Sequence, residues 1–252
     1  RVTVGISGTG GGFKKFCRGE TDISDASRPI LEKEMKACAE AGIKYVELPV
    51  AFDALTVVIH PKNTWVKEFK VEELKKMWEP LAQGKITHWN QVNPAWPNAP
   101  LALFGPGADS GTFDYFTEAI NGEEGVSRTD YNNVGEDDNA TVKGVEGSPG
   151  GMGYAGFSFY QENEGKLKAL EVDNGKGCVT PSPETAQQDE YVPLSRPLFI
   201  YPSGKALEEP QVKAFVEYYL ENVGDIAEGV GYIPLTEEQL EESTAAAEKV
   251  GL

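Results

Sequence analysis

The sequence has 252 residues, 40% of them hydrophobic, so it is long enough for one large domain or two small ones with a real core. Its formal net charge of -17 argues against binding to a nucleic acid backbone or to an anionic membrane surface. No run of apolar residues approaches the roughly 20 that are needed to cross a bilayer. The two histidines and the absence of a Cys-x-x-Cys pair argue against a zinc site.

Three cysteines leave two arrangements open. Cys17 and Cys38 could form a disulfide in an oxidising compartment, which would leave Cys178 over. Three buried free thiols are an equal alternative. The first residues, Arg1 to Val4, do not resemble a secretion signal, so we expect a mature or trimmed chain.

The first part of the chain predicts a strand, a glycine-rich turn and two helices. Val2 to Val4 predicts a short strand that enters the turn. Thr21 to Ser27 predicts a polar, extended segment between the two helices, and Gly42 is placed to end the second helix. Apolar residues recur at helical spacing in both helices. They are Phe13, Phe16 and Cys17 in the first helix and Leu31, Met35 and Cys38 in the second.

The middle of the chain predicts further strands alternating with helices. Tyr45 to Leu48 and Ala54 to His60 predict strands, and the second is apolar enough to be buried on both faces. The later predictions are a helix with Val71, Leu74, Met77 and Trp78 on one face, an irregular loop from Trp89 to Pro100, a strand from Leu101 to Phe104, a helix with Phe113, Phe116 and Ile120 buried, an acidic loop from Gly122 to Thr141, and a turn and strand at Gly150 to Tyr154.

The last part of the chain completes the alternation. Leu198 to Tyr201 predicts a buried strand, and a helical stripe of apolar residues runs from Val212 to Val223. Thr236 and Gln239 have the spacing of a capping box at the start of the final helix. Because strands alternate with helices throughout, the sequence predicts an α/β fold with a largely parallel sheet.

Two separate segments place glycines and small hydroxyl residues directly before predicted helices. They are Gly5 to Pro29 and Asp109 to Phe113. A helix start exposes unpaired N–H groups with a partial positive charge, and glycine lets a ligand approach them closely. Two such starts would suit a small anion. The dinucleotide pattern fails because Phe13 stands where its third glycine belongs.

Other motifs give weaker indications. Arg28 could bind an oxyanion bidentately, and the alternative is a surface arginine paired with an acid such as Asp25. Asp137 to Asn139 lacks the spacing of a calcium loop, so we expect a solvated loop and no metal. The segment Ala108 to Gly111 resembles a serine-protease nucleophile, but neither histidine has a matching context, so no catalytic residue is predicted.

Taken together, these segments resemble the periplasmic phosphate-binding proteins of ABC transporters, the PstS/SphX family. The resemblance covers nearly the whole chain. It implies the α/β fold of a type II periplasmic binding protein, with two lobes of mixed, mostly parallel sheets flanked by helices and a ligand cleft between the lobes. The stretches that carry the resemblance are Gly5 to Pro29, Gly84 to Asn90, Ser110 to Phe116 and Leu194 to Leu198.

The resemblance also implies a division into lobes. Residues 1–60 and 193–252 would form lobe 1, and residues 61–192 would form lobe 2. The chain would cross between them near Ala54 to His60 and Pro193 to Tyr201. Members of the family have a strand and a helix before the point where this sequence begins, so we expect that segment to be missing here.

The resemblance supplies a set of binding residues. Pro106 stands where some relatives have an arginine, and we expect Arg28 to provide that charge. Ser27 stands where some relatives have an aspartate that accepts a hydrogen bond from protonated phosphate. The predicted phosphate-binding residues are Thr9, Gly10, Ser27 and Arg28 in lobe 1 and Ser110, Gly111 and Thr112 in lobe 2, with Ser7, Asp25, Asp109 and Asn139 as possible supporting residues.

The function implied by the resemblance is that of a carrier and not of an enzyme. It would capture inorganic phosphate outside the cytoplasm, in the periplasm or beyond it, and deliver it to a membrane permease. We expect a monomer without a cofactor and without a nucleic acid partner, and a membrane-anchored lipoprotein form of the full-length protein stays open. The alternatives are a carrier for arsenate, sulfate or molybdate, and a secreted hydrolase of phosphate esters.

Overall fold

The computed structural model describes residues 1–249, in which helices and strands alternate. Within these residues the helices are α1 (Gly8–Phe16), α2 (Glu32–Glu40), α3 (Val71–Trp78), α4 (Trp89–Val92), α5 (Gly111–Phe116), α6 (Asp138–Glu146), α7 (Phe157–Glu162), α8 (Pro183–Gln187), α9 (Pro210–Gly229) and α10 (Glu237–Glu248). The strands are β1 (Ile23–Ala26), β2 (Leu48–Ile59), β3 (Glu68–Lys70), β4 (Ala102–Gly105), β5 (Asn132–Asn133), β6 (Gly151–Gly156), β7 (Lys168–Ala169), β8 (Glu171–Asp173), β9 (Cys178–Val179), β10 (Ser195–Pro202) and β11 (Ile233–Pro234).

The chain divides into two compact units. The first unit is Arg1–Asp53 together with the chain from Arg196 onward, and the second unit is Ala54–Ser195. The chain leaves the first unit within β2 and returns to it at the start of β10. The boundaries predicted from the sequence lie a few residues from these. The role of the units as lobes that close on a ligand stays a prediction.

The first unit is built around two antiparallel strand pairs. β1 pairs with β10, and Ile23 lies opposite Pro202. β11 pairs with β2, and Ile233 lies opposite Phe52. One apolar cluster forms where α1 and α2 cover these strands, and another forms under α9. The largest buried members are Phe13, Phe16 and Tyr201 in the first cluster and Leu48, Val216 and Leu220 in the second.

The second unit is built around β6, which is antiparallel to β2 and parallel to β4. β4 also pairs in parallel with β5, and β7 is antiparallel to β2. Aromatic side chains fill the core beneath these strands, and the rings of Phe116 and Tyr154 stack at a centroid distance of 3.7 Å. A separate sheet contains β3, which is parallel to β8, and β9, which is antiparallel to β8.

The predicted α/β architecture is confirmed, and its sheets are mixed. The helix predicted around Trp78 is α3, and the apolar stripe from Val212 to Val223 belongs to α9. The hydroxyl of Thr236 accepts the N–H of Gln239 and begins α10, as the capping box indicated. Strand pairs are less often parallel than the alternation predicted, because β10 and the long β2 both run antiparallel to neighbours.

Two strand predictions are wrong in their bounds or existence. Val2 to Val4 forms no strand, and Val4 is 76% exposed, because an apolar stretch needs a neighbouring strand for its hydrogen bonds. The separate strands predicted at Tyr45 to Leu48 and Ala54 to His60 are replaced by the single strand β2. Tyr45 makes only an isolated bridge, to Ser203.

Two predicted loops contain regular structure. The segment from Trp89 to Pro100 begins with α4, and the acidic segment from Gly122 to Thr141 contains β5 and the first turn of α6. The carboxylate of Asp137 accepts the N–H of Asn139 and caps α6, so this acidic cluster begins a helix where we expected a solvated loop.

A disulfide joins the two N-terminal helices of the first unit. Cys17, directly after α1, is bonded to Cys38 in α2, and Cys178 is free and exposed. The alternative of three buried free thiols is therefore wrong. The buried face of α2 carries Cys38 and Glu34, whereas Leu31 and Met35 are exposed.

Candidate functional site

The start of α1 forms one side of the candidate site in the first unit. Ser7 is the N-cap residue and its side chain makes no capping hydrogen bond. Gly8 has a φ of +61°, a conformation that favours glycine. A Cβ on Gly12 would lie 2.9 Å from the Ser24 hydroxyl, so β1 can pass close to this helix only because a glycine is present. The first turn thus presents Thr9 and N–H donors beside β1.

A hydrogen-bonded network joins Thr9 to the segment after β1. The hydroxyl oxygens of Thr9 and Ser27 lie 3.1 Å apart, and the N–H of Ser27 donates to the Thr9 hydroxyl at 3.1 Å. Nη1 of Arg196 donates to the Ser27 hydroxyl at 3.2 Å. Two of the residues that the sequence predicted, Thr9 and Ser27, are therefore in contact, and Arg196 adds a positive charge.

Arg196 is held from its other side by a carboxylate. Its Nε and Nη2 both donate to Oδ2 of Asp53, at 3.2 and 3.1 Å. Burial raises the pKa of the Asp53 carboxyl, and the neighbouring Arg196 opposes that rise. The guanidinium is 21% exposed, so the ion pair orients it while part of it still faces solvent.

Arg28 is oriented by a second carboxylate, that of Glu34. Nη1 and Nη2 of Arg28 donate to the two carboxylate oxygens of Glu34, each at 2.9 Å. The guanidinium also lies 5.8 Å from the centroid of the Phe13 ring, within the range of a cation–π contact. Its Nη2 is 3.8 Å from the position that a Cβ on Gly10 would occupy. Arg28 therefore brings its charge to the start of α1, and its contact with an anion stays a prediction.

The acid paired with Arg28 differs from the one considered in the sequence. Asp25 lies on β1 and its side chain alternates with the buried Ser24 and Ala26. Glu34 instead lies in the first turn of α2 and accepts the N–H of Leu31 as well. Burial pushes the pKa of Glu34 upward, but the hydrogen bonds from Arg28 and from the Leu31 N–H outweigh it and leave the pKa lowered.

The second predicted group of residues lies in the second unit, at the start of α5. Ser110 is the N-cap residue, and its hydroxyl accepts the N–H of Thr112 at 3.2 Å. Gly111 is the first helical residue and both it and Asp109 are exposed. α5 continues into a π-helical turn, Thr117–Asn121. The predicted turn with exposed donors is therefore formed.

The segment before Ser110 packs against the region around β5. Tyr131 donates its hydroxyl to the carbonyl of Pro106 at 2.7 Å, and the N–H of Gly107 donates to the Gly135 carbonyl at 2.8 Å. Asn139 lies in α6, where its N–H is bound by Asp137. Burial, and then the charge of Asp137, raise the pKa of Asp138 to about 6.

Sequence reasoning missed three residues of the first unit's network, namely Arg196, Asp53 and Glu34. A signal for Arg196 is present, because the tripeptide Ser-Arg-Pro occurs at Ser27–Pro29 and again at 195–197. The two arginines of these tripeptides are the two that surround Ser27 and Gly10. Asp53 and Glu34 carry no such signal, because their roles depend on contacts between distant parts of the chain or across a helix turn.

Comparison with known proteins identifies the family. A family model described as "PBP superfamily domain" matches residues 1–223. The chain is 55% identical over 238 residues to Protein SphX of Synechocystis, which covers 94% of this chain and 70% of SphX. It is 38% identical over 235 residues to the phosphate-binding protein PstS of Staphylococcus epidermidis, which covers 92% of this chain and 70% of PstS. The chain belongs to the PstS/SphX family.

A solved structure agrees with this membership. The crystal structure of a possible phosphate binding protein from Planctomyces limnophilus superposes with a TM-score of 0.92 at 45% identity. The match covers 97% of this chain and 86% of that chain. The fold is therefore that of the periplasmic binding proteins, as the sequence predicted.

Potential metal ligands lie outside the predicted residues. Across residues 1–249, the residues grouped closely enough to hold an ion are Glu68, Glu171 and Cys178, on the sheet of β3, β8 and β9. The same described residues include no helix that is both long and apolar enough to span a membrane.

Proposed function

We propose that this protein binds inorganic phosphate and delivers it to the membrane permease of an ABC transporter. It acts as a binding protein and not as an enzyme. The observation that carries the proposal is the hydroxyl pair of Thr9 and Ser27, hydrogen-bonded to the guanidinium of Arg196, with Arg28 beside Gly10.

These groups match the chemistry of a tetrahedral oxyanion. Each guanidinium can donate bidentately to phosphate oxygens, and the N–H groups in the first turn of α1 add donors that carry a partial positive charge. Asp53 and Glu34 fix the two guanidinium planes in advance, which reduces the entropy lost when the anion binds. The overall charge of -17 acts weakly here, because distant charges are screened within about 10 Å.

The hydroxyls also give a basis for selectivity. A serine or threonine hydroxyl can both donate and accept a hydrogen bond, whereas guanidinium and backbone N–H groups only donate. Thr9 and Ser27 can therefore accept a hydrogen bond from the P–O–H group of protonated phosphate, and sulfate has no such proton at neutral pH. Ser110, Gly111 and Thr112, at the start of α5, are proposed as the phosphate-binding residues of the second unit.

The cellular setting is part of the same proposal. A disulfide between Cys17 and Cys38 fits an oxidising compartment, so we place the protein outside the cytoplasmic membrane, in the periplasm or beyond it. We further propose that it acts as a monomer and that its full-length form carries a lipid anchor. Light scattering of the purified chain tests the first point, and mass spectrometry of the protein from its native membrane tests the second.

Calorimetric titration with phosphate tests the proposed site. Truncating a charged partner in a preformed site typically costs about 2–5 kcal/mol, so Arg28→Ala should weaken phosphate binding by about thirtyfold or more. Arg28→Lys, which keeps the charge, should lose less. Unchanged affinity in Arg28→Ala would exclude Arg28 from the site.

The control removes an equal charge from the same unit. Arg18 is 63% exposed and pairs with Glu20, so Arg18→Ala should bind phosphate like the unchanged protein. Circular dichroism checks that each variant is folded, since Arg28→Ala also leaves Glu34 without that guanidinium.

Titration with sulfate, molybdate and arsenate ranks the competing oxyanions, and a phosphatase assay tests the hydrolase alternative. Tighter binding of sulfate than of phosphate would contradict the proposal.

A further inference from the structure

A second candidate site lies in the second unit, among residues that the phosphate proposal does not use. It is a surface depression of about 330 Å³, which is within the range of small-ligand pockets. Two half-buried tryptophans, Trp65 and Trp96, line it together with charged side chains. Both side chains also pack against the core of the unit, so each tryptophan is anchored while part of it borders the depression.

The two tryptophans pack against two buried aromatic rings. Phe69 and Trp89 are fully buried and stack with an interplanar angle of 15°. The ring of Trp65 meets the ring of Trp89 at 83°, and the ring of Trp96 meets it at 69°. Both indoles are thus set steeply to the ring of Trp89, so they act as walls of the depression. Such walls can contact the face of a ring-shaped ligand.

Hydrogen bonds fix the loop that carries Trp96. The Asn93 side chain donates to Glu73 at 2.8 Å and accepts the N–H of Ala95 at 3.0 Å. The N–H of Trp96 donates to the Asn93 carbonyl at 3.0 Å, and Glu73 also accepts the N–H of Lys70. These bonds tie the loop to the start of α3. The depression is therefore formed in advance, which lowers the entropy lost on binding.

The charged side chains around the depression differ in how they are used. Glu73 receives the two hydrogen bonds described above, and Glu68 accepts the thiol of Cys178 at 3.1 Å. Lys67 and Lys70 are exposed, and neither ammonium takes part in an ion pair that the described residues reveal. The depression thus offers two positive donors beside the side chains of two tryptophans.

We infer that this depression binds an acidic saccharide, a sugar unit that carries a carboxylate. The C–H groups on one face of a sugar ring are attracted to the negative face of an indole. The carboxylate would accept hydrogen bonds from Lys67 and Lys70. Glu68 and Asn93 are polar neighbours that can accept hydrogen bonds from sugar hydroxyls.

The mixed charge favours a saccharide over a nucleotide. A nucleotide could also stack on the indoles, but its phosphate would bring up to two negative charges next to Glu68 and Glu73. Each ring of an acidic saccharide brings a single carboxylate, so the ring seated on the depression presents one charge, which two lysines can match. Hydroxyl groups on the sugar can use the neighbouring carboxylates, whereas a phosphate ester would be repelled by them.

Fluorescence titration and calorimetry with trigalacturonate test the inference, with neutral maltotriose as the matched sugar and adenosine monophosphate as the competing anion. Trigalacturonate should perturb tryptophan fluorescence and bind about tenfold more tightly than either control, because two exposed ion pairs of about 0.7 kcal/mol each together contribute about 1.4 kcal/mol. Trigalacturonate binding should persist in Arg28→Ala. A failure of this inference can therefore be distinguished from a failure of the proposed phosphate site. Trigalacturonate binding should also weaken at high salt.

Variants locate the binding. Lys67→Gln/Lys70→Gln and, separately, Trp96→Ala should each lower trigalacturonate affinity about tenfold. Lys85→Gln/Lys143→Gln removes the same charge from exposed positions elsewhere in the unit and should leave it unchanged. Equal binding of adenosine monophosphate or maltotriose would overturn the inference. So would the absence of any trigalacturonate binding up to about 10 mM, where even a millimolar site is filled.

Discussion

The arginines of the two units are used in different ways. In the first unit, Arg28 and Arg196 are 29% and 21% exposed, and each is held by one carboxylate. In the second unit, Arg128 is only 4% exposed and donates to the carbonyls of Met77 and Ile86 as well as to Asp130. An arginine fixed by a carboxylate but still reachable can bind an anion, whereas an enclosed one joins chain segments.

The starts of α1 and α5 differ in the charged groups that surround them. The start of α1 has hydroxyls and two guanidiniums around it, namely those of Thr9, Ser27, Arg28 and Arg196. The start of α5 offers Ser110 and backbone donors, with the acidic Asp109 before it and Asp114 after it. The comparison teaches that, among these candidate residues, the positively charged side chains are those of the first unit.

The largest expected effect is on stability, in the second unit. Arg128→Met should lower the free energy of unfolding by about 3–5 kcal/mol, because it leaves the carbonyls of Met77 and Ile86 without this buried donor and removes the ion pair with Asp130. Urea unfolding measures this loss. Phosphate affinity of the folded variant should stay nearly unchanged. If Arg128→Met had normal stability and weakened phosphate binding, the distinction between enclosed and reachable arginines would be wrong.

The second effect concerns the disulfide, which only the first unit has among the described residues. Cys17 and Cys38 are 21 residues apart, and closing a loop of this size stabilises a protein by about 2–4 kcal/mol. Cys17→Ala/Cys38→Ala should therefore lower the free energy of unfolding by about that amount. The control is Cys178→Ser, which changes an exposed thiol and should stay within about 0.5 kcal/mol. Equal stability in both variants would contradict the assignment.

The third effect is on binding. Arg196→Ala should weaken phosphate binding by about 1.5–3 kcal/mol, or roughly tenfold to 150-fold, because it removes charge-assisted hydrogen bonds. Asp53→Asn should cause a smaller loss, since it leaves the guanidinium in place but less firmly oriented. Calorimetry at constant salt measures both. A larger loss in Asp53→Asn than in Arg196→Ala would show that the carboxylate itself is the ligand.

Local signals in the sequence predicted the features that depend on neighbouring residues. The spacing of Leu74, Met77 and Trp78 predicted α3, and the capping box predicted the start of α10. Glycines and hydroxyls predicted the helix start that presents Thr9, although Gly8 to Gly12 lie inside α1 and do not form the separate turn before it that we expected. Each of these depends on hydrogen bonds or packing within a few residues, and such patterns are visible in the chain itself.

The features that the sequence did not predict depend on distant contacts. Asp53 and Arg196 are 143 positions apart, and no local pattern joins them. The apolar Val2 to Val4 resembles a strand, but a strand exists only where a neighbour supplies hydrogen bonds. The acidic segment at Asp137 resembles a loop by composition, and its role as a helix cap depends on one carboxylate accepting the N–H of Asn139.

The smallest expected effect concerns a carboxylate of the second unit. Burial raises the pKa of Asp138 to about 6, from a usual value of 3.8, so the folded protein holds its proton more tightly than the unfolded chain does. Asp138 therefore lowers stability progressively as the pH rises from about 4 to 6. Asp138→Asn removes this penalty, because an amide does not ionise.

The variant should be more stable than the unchanged protein at pH 7 and equally stable near pH 4. The full shift corresponds to roughly 2–3 kcal/mol, and partial exposure of the side chain reduces our expectation to about 1 kcal/mol, or about 2–4 °C in Tm. Thermal melts across this pH range measure the difference. Asp109→Asn serves as the control, because Asp109 is exposed and its replacement removes the same charge from the same unit. A stability gain that is equal in both variants, or that does not depend on pH, would show that general charge repulsion and not burial of Asp138 is responsible.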